Sequence, residues 1–527
     1  MRHIGCDIID VNPGAGLFSR KLHQHLKPRT HLLIQPKSKH NDSYTSFLTP
    51  LLEEPQSRYR LLRLPTSSHS TYQSLVLDKH LPHQQALEEG DPKLHRPNDS
   101  LLFVANFAFR SGKKDGSFVS SAGYILNRLL NDIQAHANLQ SYGQTRMLVW
   151  VADNERAAYL PQTVLNRRRM SVEAEVTSTI SEVVSGDTQV GTRRREKQLD
   201  LLSGRNVYER MLRDGVTVPE HRRTRLLREI EEGATADDQH PGEESPTRDW
   251  HEELAHLQKR FDEGDFGRFA EDRSQKNVRD ESSRRALTPE YARLQQLKRG
   301  SGTQQGHQRA AQKLMEQYSA LEALHQVLGV NGNHLSTEDR ARQEARLASE
   351  ADEYTNAYDK ASKQVRALVS ASLDERHALD VKPPLLMWDR RTVEPLAAET
   401  FEFFPQSEAP ALLDFQPKAL APAFRRNPDS HHIFTYLASA LFAQPATPVA
   451  AALDMLAWGA AEALIPGVPA LTDPSKGGRR DVKDLTVRML TVEMFEGLVR
   501  AWEDWPFKPS AADTTLRQHP SLKQSRV

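Results

Sequence analysis

The run Cys6-Asp7-Ile8-Ile9-Asp10-Val11-Asn12-Pro13-Gly14-Ala15-Gly16 opens the chain. Its apolar half predicts a strand over 8–11, ending beside an acidic residue. The glycines at 14 and 16 permit a tight turn and let a ligand come close to the backbone. The spacing of apolar residues from Leu17 to Leu26 predicts a helix, and His31-Leu32-Leu33-Ile34 predicts a second strand. Together these make the first βαβ unit of a nucleotide-type α/β fold.

Outward from that unit, further apolar runs predict strands over 32–35, 59–62, 101–105 and 147–152. Helical patterns lie between them, such as 122–133, where Ile125, Leu129, Leu130 and Ile133 share one face. Near-continuous apolar strands alternating with helices predict a buried, mostly parallel sheet in a domain over 1–186. Residues 65–98, rich in Ser, His, Pro and Gln, read as an inserted loop.

Residues 187–380 are dense in charge and read as a partly disordered helical insertion, with 235–247 acidic and disordered. Within it, Leu314, Tyr318, Leu321 and Leu328 mark one helix. Leu347, Ala351, Tyr354, Tyr358, Ala361, Val365 and Leu368 mark a coiled-coil seam at 4-3-4-3 spacing. Ser336 and Asp339 offer a capping box, and 329–333 reads as the turn of an antiparallel hairpin. Residues 381–424 read as closing strands, placed at 385–388, 400–404 and 412–415. Residues 425–510 read as a helical C-terminal domain with Phe434, Leu437, Leu441, Leu453 and Leu456 on its apolar faces. A loose tail is expected over 511–527.

The composition narrows the function. A length of 527 residues permits two or three domains. The 70 basic and 70 acidic residues cancel, so nucleic-acid binding would have to use local patches. Cys6 is the only cysteine, which excludes intrachain disulfides and cysteine-based zinc sites. No apolar run reaches membrane-spanning length. His23 with His25, and His431 with His432, lack the spacing of a helical metal site, and there is no P-loop or Ser-His-Asp pattern. Met1 stands just before the first strand, leaving no visible presequence.

The run from Asp10 to Gly16 is similar to motif I of the rRNA adenine dimethyltransferases, which read roughly Glu-Ile-Gly-Pro-Gly-Thr-Gly and hold S-adenosylmethionine there. Val104-Ala105-Asn106-Phe107-Ala108-Phe109 resembles that family's Asn-Leu-Pro-Tyr/Phe. Residues 169–175 resemble its Arg-Leu-Ser-Val segment, and Pro383-Pro384 with 412–418 resemble its final strands. The resemblance covers roughly 1–185 and 381–510. It implies a Rossmann-like methyltransferase sheet with an all-helical C-terminal domain and a long helical, coiled-coil insertion. It also implies cofactor contacts from Asp10, Asn12, Gly14, Gly16, Gln35 and Asn106. In an active enzyme Asn106 would accept hydrogens from the adenine amine, and Phe109 would stack on the flipped base.

Three positions depart from that pattern. Asn12 replaces the first glycine of motif I and crowds the approach. Gln35 replaces the acidic residue that holds the ribose, giving up a charge-assisted acceptor worth about 1.5–3 kcal/mol. Ala108 replaces a proline. No acidic residue follows the third strand, where Arg63-Leu64-Pro65 stands. These departures resemble the mitochondrial transcription factor B branch, especially its fungal members. That branch implies a mitochondrial location, DNA and the single-subunit mitochondrial RNA polymerase as partners, and a role in promoter opening. Phe107, Phe109 and the Arg167-Arg168-Arg169 cluster are the expected nucleic-acid contacts. Arg193 to Arg195 and Arg222 to Arg228 read as solvated helix faces. The alternatives are an active S-adenosylmethionine-dependent rRNA adenine dimethyltransferase, or a scaffold that binds protein through its hairpin.

Overall fold

A computed structural model describes residues 2–37, 39–77, 80–108, 120–186, 195–234, 249–268, 287–330, 336–404, 410–427 and 429–509. The chain divides into two compact units. One comprises 1–191, 203–234 and 377–527; the other comprises 192–202 and 235–376.

The first unit is a mixed α/β body built on an eight-stranded sheet. Its elements in order are β1 (Asp7–Val11), α1 (Leu17–Leu26), β2 (Thr30–Ile34), α2 (Lys39–Glu53), β3 (Tyr59–Leu62), α3 (His69–Leu77), β4 (Pro97–Asn106), α4 (Ser121–Ala135) and β5 (Gln144–Val151). They continue with α5 (Asp153–Tyr159), α6 (Arg169–Thr177) and β6 (Ser178–Gly186). After the second unit come β7 (Leu396–Ala398) and β8 (Ala411–Pro417). The strand order is β3-β2-β1-β4-β5-β8-β6-β7. Every pairing is parallel except the two made by β8, which runs antiparallel between β5 and β6. This sheet is compatible with a Rossmann-like fold.

Burial explains why the first strands were readable. All five residues of β1 and of β2 are buried, as a sheet covered on both faces requires. The amphipathic α4 lays Ile125, Leu126, Leu129, Leu130 and Ile133 on one side of the sheet, against Phe103 and Ala105. Ser120 caps this helix by accepting from the Gly123 amide at 3.0 Å.

Several expectations need correction. Segment 65–98 is not a plain loop, because α3 and the start of β4 lie in it. Residues 387–390 form a 3₁₀ turn and not a strand; Arg390 folds back to donate to the carbonyls of Pro384 and Leu385. Residues 400–402 are likewise a 3₁₀ turn, held by the reciprocal Glu399–Glu402 capping box. The edge strand on this side is β7.

Four helices close the first unit: α13 (Ser430–Leu441), α14 (Val449–Leu456), α15 (Ala460–Leu464) and α16 (Val492–Asp504). They belong to the same compact unit as the sheet and share its core through Phe434, Leu437, Phe495, Leu498 and Trp502. Between the sheet's two chain segments run α7 (Lys197–Asp214), α8 (Arg225–Glu231) and α9 (Asp249–Asp262), then α10 (Pro289–Val330), α11 (Thr337–Lys360) and α12 (Lys363–Asp380).

In the second unit, α10 is a single 42-residue helix. Its Ala311, Leu314 and Met315 pack with Val365 and Val369 of α12 and with Tyr354, Ala357 and Tyr358 of α11. Ser336 caps α11, accepting from the Asp339 amide at 3.1 Å. The expected seam is broken, because the chain leaves the helix between Lys360 and Lys363. Its first half, Leu347 and Ala351, lies outside that core.

Candidate functional site

The pairing register aligns Val11 with both Ile34 and Ala105. The residues that follow, Asn12, Gln35 and Asn106, therefore form one row at the carboxyl ends of β1, β2 and β4. That edge is where open α/β sheets bind ligands.

Asn12 has φ of 56°, a left-handed conformation that asparagine tolerates better than most residues. Its side chain reaches across the row. Nδ2 donates to the Asn106 carbonyl at 3.0 Å, and Oδ1 accepts from the Thr66 hydroxyl at 2.9 Å. Thr66 is itself buried and follows β3. The Asn106 Oδ1 accepts from the Ala108 amide at 3.2 Å. Both oxygens of Asn106 thus already hold donors from their own surroundings.

The two glycines of the turn differ in role. A methyl group built at Gly16 (φ 75°) would lie 2.8 Å from a side-chain methyl of Leu48, so glycine is needed there for packing against α2. At Gly14 (φ 58°) such a group would meet nothing within 4 Å, so this side of the turn is open.

Gln35 is buried, and its backbone N–H donates to the Leu62 carbonyl at 3.0 Å. Asp10 is buried beneath α1, where its Oδ2 lies 3.4 Å from His31 Nε2. The His31 Nδ1 is 3.2 Å from His23 Nδ1, and both rings stack on Tyr59. Burial, with His31 alongside, lowers His23 to about 4. Of the expected cofactor residues, then, Asn12, Gln35 and Asn106 come together in the row with Gly14 beside them. Asp10 is engaged below it.

The expected nucleic-acid contacts fare differently. Phe107 is 1% exposed and part of the central core, so its ring is not offered to a base. Arg167 is also 1% exposed. Its Nη1 donates to the carbonyls of Arg488 and Leu490 at 2.8 and 2.7 Å, and its Nη2 pairs with Glu175 at 3.3 Å. Arg168 turns back on the Leu165 and Arg167 carbonyls, both at 2.9 Å. Arg169 pairs with Glu173 at 3.4 Å and reaches Ser439 of α13. Arg167 and Arg169 tie α6 and the turn before it to the C-terminal segment, and the buried Arg167 guanidinium is not offered to a phosphate. Phe109 lies outside the described residues.

A group that the sequence reading missed flanks the row. Trp150, opposite Asn106 in the β4–β5 register, meets the ring of Phe18 at 5.7 Å and that of Phe403 at 5.6 Å. Phe18 is 37% exposed. Such a wall can stack on an unpaired base. Its only sequence signal is an aromatic at the end of an otherwise aliphatic strand. Among the described residues, no group of three or more His, Cys, Asp or Glu could hold a metal ion. No single described helix is long and apolar enough to cross a membrane. No protein-family model matches the chain, and no curated protein matches it.

Proposed function

We propose that this chain is a mitochondrial transcription initiation factor on an rRNA adenine dimethyltransferase scaffold. It binds DNA and assists the single-subunit mitochondrial RNA polymerase in promoter recognition and melting. The sheet supports the methyltransferase scaffold: a parallel order reversing at β1, with one antiparallel strand inserted beside β5. Fold alone does not select a function. The observation that carries the choice is the Asn12 side chain, which occupies the strand mouth by bridging Asn106 and Thr66. Neutral Gln35 in the ribose position, without the charge of a carboxylate acceptor, supports the same choice. The Phe18–Trp150–Phe403 wall supports contact with an unpaired base.

The second reading is an active S-adenosylmethionine-dependent rRNA adenine N6,N6-dimethyltransferase. The open side of Gly14 and the position of Asn106 at the end of β4 favour it. Calorimetry with S-adenosylmethionine separates the two. The first reading expects no binding at millimolar cofactor, together with polymerase-dependent initiation that is lost on duplex promoters without the protein. It also expects Asn12→Gly, which opens the row, to bind more tightly than the natural chain. Micromolar binding by the natural chain, with methylated rRNA as product, would establish the enzyme instead.

A further inference from the structure

We infer that one exposed face of α10, carrying Lys298, Arg299, Arg309 and Lys313, docks the phosphate backbone of duplex DNA; this rests on the nucleic-acid reading above and adds a second contact to it. Residues 291–315 contain no Asp or Glu, yet they include these four cations and Arg293. In a chain whose 70 basic and 70 acidic residues cancel, this is a strong local excess of one sign.

Helical geometry gathers the charge. At 3.6 residues per turn, Lys298, Arg299, Gly302, Gly306, Arg309 and Lys313 fall within an arc of roughly 100°. Lys298, Arg299, Arg309 and Lys313 are all exposed. Arg293 falls off this arc and is held by Glu253 at 2.6 and 2.8 Å. Among the described residues, the other four side chains have no ion-pair or hydrogen-bond partner. The face is about 22 Å long at 1.5 Å per residue. B-form DNA places about a dozen phosphates along that length.

The surface between the two cation pairs is low and polar. A methyl group built at Gly302 or Gly306 would meet nothing within 4 Å, and the exposed neighbours include Thr303 and Gln305. A backbone of phosphates can therefore approach both pairs at once. An apolar anchor is missing, which disfavours a bilayer surface or the hot spot of a protein interface. B-DNA admits a helix in its major groove, whereas the deep, narrow groove of A-form RNA does not.

The test uses the full chain with a short fluorescent DNA duplex, read by anisotropy across a salt series. The variant combines Lys298→Gln, Arg299→Gln, Arg309→Gln and Lys313→Gln. Glutamine has nearly the helix propensity of Lys and Arg, so circular dichroism should be unchanged. The expected result is weaker duplex binding, with the slope of log affinity against log salt reduced by about 3–4. A variant of normal helicity that keeps the natural affinity and slope overturns the proposal. So does a natural chain that binds phosphatidylserine vesicles but no duplex. The same series on a duplex with a central unpaired bubble separates this surface from the strand mouth. The bubble-to-duplex affinity ratio should survive in the variant. If the natural chain shows no bubble preference while the variant still loses duplex binding, the initiation-factor reading fails and the α10 surface stands.

Discussion

Arg167 shows at the residue scale how the same side chain serves different ends depending on burial. A guanidinium taken out of water must have its donors met, and two carbonyls and Glu175 meet them. Removing it leaves two buried carbonyls without their donor, opens a cavity, and leaves Glu175 to its remaining partner Arg390 at 2.9 Å. Arg167→Ala should therefore cost about 3–5 kcal/mol of stability. Arg169→Ala removes a partly exposed guanidinium from the buried Glu173, which burial already pushes toward its neutral form, and should cost less, about 1–3 kcal/mol. Urea unfolding of the two variants checks this. Equal, small losses accompanied by weaker DNA binding would return the cluster to a phosphate-contact role. Three consecutive arginines read alike in the sequence. Only the turn before α6 decides that one points inward, one folds onto its own loop and one lies along the helix.

At the element scale, legibility followed the number of covered faces. β1, β2 and the core of β4 are buried on both sides, so their residues are apolar in unbroken runs. β6 went unread because Ser178–Gly186 mixes Ser, Thr and Glu into its pattern; Glu182 sits buried in it beside Arg156, which no local rule anticipates. The reverse error arose at 385–388, where an apolar run packs into the core as a turn. In the site, the Gly-rich turn was plain, but the partner of Asn12 was not, since Thr66 lies 54 residues away. The helices of the second unit make a cleaner test of packing. Leu314 is buried among Val365, Val369 and Tyr358, the segment where the seam is real. Leu314→Ala should lose about 2–5 kcal/mol from that helical core. Hydrogen exchange should show faster opening across α10, α11 and α12, with β1, β2 and β4 unchanged, because the two units have separate cores. Uniform loss of protection in both units would mean that they unfold as one.

At the scale of the whole molecule, folding sets buried titratable groups against each other across pH. Burial lowers His377 and His431 to about 4 each, Arg479 adding to the first and His432 to the second. Each of these histidines binds a proton more readily when unfolded, so between pH 6.5 and 4 the unfolded chain holds more protons. Stability is then full above pH 6.5 and falls as the pH drops through that window, by about 3 kcal/mol for each of the two. His23, lowered likewise but more exposed, adds a smaller loss in the same direction. Glu182 acts in the opposite sense. Burial raises it to about 7 against the pull of Arg156, so the native form holds the extra proton between pH 4.5 and 7. Its contribution is present at low pH and is lost as the pH rises through 7. Burial raises Asp132, Glu155, Glu173 and Glu496 in the same sense as Glu182, and lowers His3 and His136 in the sense of the other rings. The weakening expected below pH 6.5 is therefore assigned to the two large histidine shifts and not to a majority of groups. The His377 ring should control part of that limb, since its Nε2 lies 3.1 Å from the carbonyls of both Gly477 and Gly478. Hydrogen-exchange protection of α13 and α16, followed from pH 7 down to 4.5, reads the effect where it originates. His377→Gln should flatten the acid limb while leaving Glu182 to govern the neutral side, and Glu182→Gln should flatten the decline near pH 7. Protection that stays level from pH 6.5 to 4.5 in the natural chain would show that these buried rings do not set its acid stability.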